Sequence, residues 1–205
     1  MCFKHRIALL AIEMDAQTID HALKSDLCCK KYYKNTLSCD QLPKIVKNSL
    51  YIINLSESWK NLGSHWVVCC SIPSNDYDIA LCCSGGSQIH ENKYIQHRVL
   101  EYSNNYYAFD KVIQDSNDTA CGSISLVISW LLCRHVSAKN ILNRFFNNVS
   151  SEAYIRDLFA CHLAFCLFDI KRGTVASMFL DENFKKKVKN AKKNSRKKKL
   201  QSIKH

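Results

Sequence analysis

Cys121 and His65 are the two residues of this sequence whose type and setting suit nucleophilic chemistry. Cys121 opens a run containing Ile124, Leu126, Val127, Ile128, Trp130, Leu131 and Leu132, apolar nearly all round, which predicts a buried central helix. A thiol is a weak nucleophile until it ionises, and the positive end of a helix and a neighbouring imidazole both favour the thiolate. Cys121 is placed for the first effect. His65 stands just before the apolar segment Trp66–Cys70, and from there an imidazole would supply the second across a sheet–helix junction. Gln114 adds a side-chain amide. With the backbone N–H of Cys121 it would bind the oxyanion formed on attack, provided the loop between them folds back. Gly122 is expected to let the backbone bend there and to admit a substrate closely. Each residue alone has a plainer reading, since a His before a strand is commonly structural and a Cys opening an apolar helix is commonly core.

The elements that would position these groups can be read from pattern. Residues 50–55 (LYIINL), Trp66–Cys70 and Ile79–Cys83 are short and rich in β-formers, and turn residues near Pro73 and at Gly85-Gly86 punctuate them. They predict neighbouring strands, with residues 100–109 as a further one. Residues 14–27 have helical character, with Ile19, Ala22 and Leu23 on one side. Ile141, Leu142, Phe145, Phe146 and Val149 predict another helix, and so do residues 154–168. Strands gathered in the first half and helices in the second indicate an α+β fold.

Composition narrows the class. The chain has 205 residues, enough for one domain with a core, and only five Gly and two Pro, which excludes a linker-rich or low-complexity fold. Twelve cysteines invite a disulfide framework, but the apolar run at Ile7–Ile12 is short and ends at Glu13, so no secretory signal is read. The pairs Cys28-Cys29, Cys69-Cys70 and Cys82-Cys83 read as small apolar residues, one per face, in a reducing intracellular compartment. No Cys-x-x-Cys occurs, and Cys133-x-His135 and Cys161-His162 with Cys166 lie in apolar stretches, so no metal site is expected. No run approaches a membrane span, and no membrane partner is expected.

Charge is unevenly spread. Of the 29 Lys and Arg, eleven lie from Lys185 onward, where no acid occurs; the bases before that point equal the 18 acids. The whole excess of +11 therefore sits at the end of the chain. Lys185, Lys186, Lys187, Lys192, Lys193, Arg196, Lys197, Lys198 and Lys199 are expected to form a solvated, disordered polybasic tail over residues 184–205, following a domain over residues 1–183. Such a tail reads as a nuclear localisation signal or as an arm on nucleic-acid phosphates, sequence-independent and salt-sensitive; it lacks the aromatics that would stack on bases.

The order Gly63-Ser64-His65-Trp66, then Gln114, six residues, and Cys121-Gly122 resembles the adenovirus-type (adenain-like) cysteine proteases and the related proteases of virus-like DNA transposons. More distantly it resembles proteases that process ubiquitin-like modifiers. Met14-Asp15 and Asp40-Gln41-Leu42-Pro43 are similar to the transposon versions. The likeness spans residues 14–130. It implies a papain-like, adenain-like fold in which a mixed sheet packs against a buried helix opening at Cys121. It also implies a thiol endopeptidase that matures viral structural precursors, without a resident cofactor, in the host nucleus and the virion. DNA or a peptide would serve as activator. In the family that peptide is captured through a disulfide; the corresponding position here is Ser103, which cannot form one.

One residue breaks the pattern. The family places an Asp or Glu after the strand following His-Trp, to orient the imidazole; here Cys83 stands at that position. Asp78 faces the other side of a regular strand, and Asp76 is farther away still. Two readings stay open: a Cys121–His65 dyad that retains activity, or a catalytically impaired protein that keeps the protease fold and serves as a DNA-binding or virion component.

Overall fold

The segments Leu50–Asn54 (β2), Trp66–Cys70 (β3) and Ile79–Cys83 (β4) pair as antiparallel neighbours at the centre of a five-stranded mixed sheet. The computed structural model describes residues 14–60, 65–73, 76–83, 92–109, 111–114, 119–146 and 153–168, all within one compact unit, Ala11–Ile170. The domain–tail boundary expected after residue 183, and every basic residue of the tail from Lys185 to Lys199, lie outside the described residues.

The edges of the sheet are Tyr33–Ser38 (β1), parallel to β2, and Tyr106–Ala108 (β5), parallel to β4, in the order β1-β2-β3-β4-β5. Parallel neighbours need a crossover. The helix Lys93–Tyr102 (α3) lies within the one between β4 and β5. Among the described residues, two helices precede β1, Ala16–Ser25 (α1) and Leu27–Tyr32 (α2). Each starts at an aspartate: Asp15 accepts from the N–H of Thr18, and Asp26 from those of Cys28 and Cys29. Asp26 explains why the helical stretch over residues 14–27 is two helices, because as N-cap of the second it ends the first in an extended conformation.

The central strands bury both faces, as a covered sheet requires. Leu50, Ile52, Val68, Cys70, Ala80 and Cys82 meet Ile19 and Leu23 of α1 and Ile124, Val127 and Ile128 of Cys121–Leu132 (α4). Residues of Ala153–Phe168 (α5), such as Ala160 and Ala164, belong to the same layer. On the other face Tyr51, Ile53, Val67, Cys69, Leu81 and Cys83 meet Ile95 and Val99 of α3. The adjacent cysteines of β3 and β4 thus split one to each face, as the alternation predicts. Burial of Ile124, Leu126, Val127, Ile128 and Leu132, at about 1.5–3 kcal/mol each, makes this helix the centre of its layer.

The fold is a mixed α+β arrangement with a buried helix that opens at Cys121. The segregation into strands first and helices later is looser than expected, because helices precede β1 and one separates β4 from β5. Of residues 100–109, the first three close α3 and Tyr106–Ala108 form the three-residue β5; of the segment 141–149, Ile141–Phe146 form a π-type turn that follows a short helical turn, Ala138–Asn140, and residues 147–149 lie outside the described residues.

Candidate active site

The first turn of α4 carries Cys121, half-buried, on a helix whose cap residue, Ala120, supplies no side-chain acceptor. The positive end of the helix is therefore not neutralised by its own cap beside the thiol. Among the described thiols only Cys28 and Cys121 are not buried. Burial pushes the Cys70 thiol up to about 12 and raises those of Cys69 and Cys82 strongly, so these remain protonated and inert. No described thiol is in a disulfide.

His65 directly precedes β3. Its carbonyl accepts the N–H of Leu55 at 3.0 Å, which extends the β2–β3 ladder one pair beyond Asn54 and Trp66. The imidazole is half-buried, and that burial holds its pKa below the ordinary value of 6.5, leaving the ring neutral at neutral pH. A neutral ring can accept a proton.

Two contacts set α4 against β3. Ser125, one turn into the helix, donates its hydroxyl to the Trp66 carbonyl at 3.3 Å. At the far end the Cys133 thiol is pushed up by a hydrogen bond with the Cys29 thiol and by burial, with Cys70 of β3 close enough to contribute. Helix and strand therefore run the same way. Ser125 to Cys133 rises about 12 Å along a helix, and Trp66 to Cys70 about 13 Å along a strand. Continuing backward, Cys121 lies about 6 Å beyond Ser125 and His65 about 3 Å beyond Trp66. Both residues sit at the same end of the sheet.

Continued one residue past β3, the alternation would group His65 with Leu55, Val67 and Cys83 on the side covered by α3, whereas α4 covers the other. The imidazole would have to reach Cys121 around the end of β3. Cys83, fully buried, pairs with Val67, two residues from His65, so the position where the resemblance expects an acid is diagonal to His65 across the β3–β4 ladder. Asp78 is at the opposite end of β4, where it accepts the Ser103 hydroxyl at 2.6 Å. Ser103 closes α3, and its hydroxyl also accepts the Asn105 N–H at 3.0 Å; at this position the residue holds a turn.

Gln114 is buried at the end of the segment 111–114, and residues 115–118, which join it towards Cys121, lie outside the described residues. The approach to Gln114 is held from α5: Arg156 donates to the carbonyl of Ile113 at 3.0 Å and to that of Val112 at 3.4 Å.

Gly122 departs from expectation. It lies inside α4, and a Cβ there would fall 2.7 Å from the Cβ of Met14. Its lack of a side chain admits Met14, and inside a regular helix it makes no bend. Met14 is itself nearly inaccessible, its carbonyl accepts the Trp66 indole N–H at 2.9 Å, and its sulfur lies 3.9 Å from the Ser123 hydroxyl. Met14, Ser125 and Arg156 were not legible as site residues. The available signal was Gly122, since a glycine within an apolar helix calls for a closely packed neighbour.

Among the described residues no three His, Cys, Asp or Glu come together as a metal site, and no helix is long and apolar enough to cross a membrane. No protein-family model matches the chain, and no curated protein matches it in sequence.

Proposed function

We propose that this protein is a cysteine endopeptidase of the viral or virus-like, adenain-like type, in which Cys121 attacks a peptide carbonyl and His65 takes the thiol proton. The observation that carries the reading is the Ser125–Trp66 hydrogen bond. It fastens the first turn of α4 to the end of β3 that His65 precedes, so a half-buried thiol at a helix start and a neutral imidazole occupy one end of the sheet.

In this mechanism neutral His65 acts as general base as sulfur bonds to the carbonyl carbon. The oxyanion is met by the Cys121 N–H and the Gln114 amide. The imidazolium then protonates the leaving amine, and water hydrolyses the thioester with His65 again as base. Substrates would be structural precursor proteins, and the basic tail would hold the enzyme on DNA, in keeping with a nuclear and virion location. Cys121→Ala should abolish cleavage of a mixed peptide library, read by mass spectrometry, while its circular dichroism matches the parent. Equal cleavage by the mutant would remove the assignment.

Cys83 favours a second reading. A fully buried thiol in place of the orienting carboxylate fits a protein that has kept the fold and lost useful turnover, acting instead as a DNA-binding or virion component. A parent protein that leaves every library peptide intact would select it.

A further inference from the structure

Four longer helices or helix starts are described before and at the candidate nucleophile, and they are fixed differently. The helices α1, α2 and α3 start at Asp15, Asp26 and Asn92, whose side chains accept first-turn N–H groups. No such oxygen comes from Ala120 at the start of α4. A capping carboxylate at that point would fix the turn but also place negative charge beside Cys121 and oppose its ionisation. The first turn of α4 is held in another way. Met14 packs its side chain on Gly122, with its Cβ 2.7 Å from where a Gly122 side chain would begin, and brings its sulfur to the Ser123 hydroxyl at 3.9 Å. Its carbonyl is tied to the indole N–H of Trp66, the residue next to His65, at 2.9 Å. One residue touches the neighbours of both members of the dyad, and it does so with apolar surface and a main-chain oxygen.

We propose that Met14 is a positioning residue for the Cys121 thiol, an apolar clamp that fixes the first turn of α4 against the start of β3. The inference rests on Cys121 being the nucleophile. Shortening the side chain in Met14→Ala releases Gly122 and Ser123 while keeping the carbonyl; Trp66→Phe keeps an aromatic ring and releases the carbonyl. Misplacement of a reacting group by about 1 Å costs on the order of a hundredfold in rate, so a clamp that holds Cys121 should be visible in turnover.

The experiment measures the pH dependence of Cys121 alkylation by iodoacetamide, resolved by peptide mapping, with kcat and KM for the best library peptide, in the parent, Met14→Ala, Met14→Leu and Trp66→Phe. The expected result is a roughly ten- to hundredfold fall in kcat with little change in KM in Met14→Ala and Trp66→Phe. Their alkylation midpoints should move to higher pH, and Met14→Leu, which refills the space, should restore both. Lower melting temperatures with unmoved kcat and alkylation profiles would make Met14 a core residue only and overturn the inference. Should Met14→Ala fail to fold, the comparison of Trp66→Phe with the parent decides by the same criterion. A parent Cys121 that reacts no faster than the exposed Cys28 overturns the nucleophile assignment and this inference together. A reactive parent with unmoved variants overturns this inference alone.

Discussion

At the scale of single residues, the chemistry depends on what surrounds the His65 ring. Burial depresses its pKa, and diagonal to it across the β3–β4 ladder stands Cys83, where a carboxylate would oppose that depression. The limb of the pH–rate profile governed by His65 should therefore lie below the ordinary 6.5, with activity lost only as the ring protonates at lower pH. Cys83→Asp should move that limb to higher pH, because an adjacent carboxylate favours the imidazolium, and should raise kcat by roughly tenfold or more by fixing the ring. The carboxylate would be buried and costly if left unpaired, so urea denaturation belongs beside the kinetics. A stable Cys83→Asp protein with an unmoved profile would mean that the 83 side chain does not reach the imidazole.

At the scale of elements, α4 and its contacts decide whether a site forms. Gly122→Ala places a methyl group against the Cβ of Met14, which cannot rotate away as a side-chain tip would. The expected cost is about 1–3 kcal/mol, measured as a lowered denaturation midpoint. An unchanged midpoint would show that the Met14–Gly122 contact gives way freely. The elements next to this helix differ in how far the sequence reveals them. β2, β3, β4 and α4 are dominated by apolar residues, and those residues announce them. α3 was hidden because Tyr102, Tyr106, Tyr107 and Phe109 suggest a strand, although Asn92 as a cap and Ile95 with Val99 one turn apart carry a helical signal. β1 reads YKNTLS, largely polar, and is a strand because β2 pairs with it along its length, a long-range cause that no local pattern displays. The same holds at the site: Cys121, His65 and Gln114 stand out by type and spacing. The way α4 is set against β3, and the part played by Met14, depend on packing between segments far apart in sequence.

At the scale of the whole molecule, charge and thiols are both distributed unevenly. Truncation after Asn183 removes the entire formal excess of +11, so binding to DNA of any sequence should weaken and its salt dependence should flatten. An unchanged salt titration would place the DNA site on the body. The thiols give the most direct test of the catalytic claim, because the chain has twelve cysteines and the account assigns chemistry to one of them. The measurement is labelling of the native protein near neutral pH with a thiol-reactive, peptide-based probe, followed by peptide mapping. The prediction is modification concentrated on Cys121, slowed by His65→Ala, with the buried thiols of β3 and β4 untouched. Labelling of Cys28 in preference to Cys121, or labelling of Cys121 that His65→Ala leaves unaltered, would contradict the dyad.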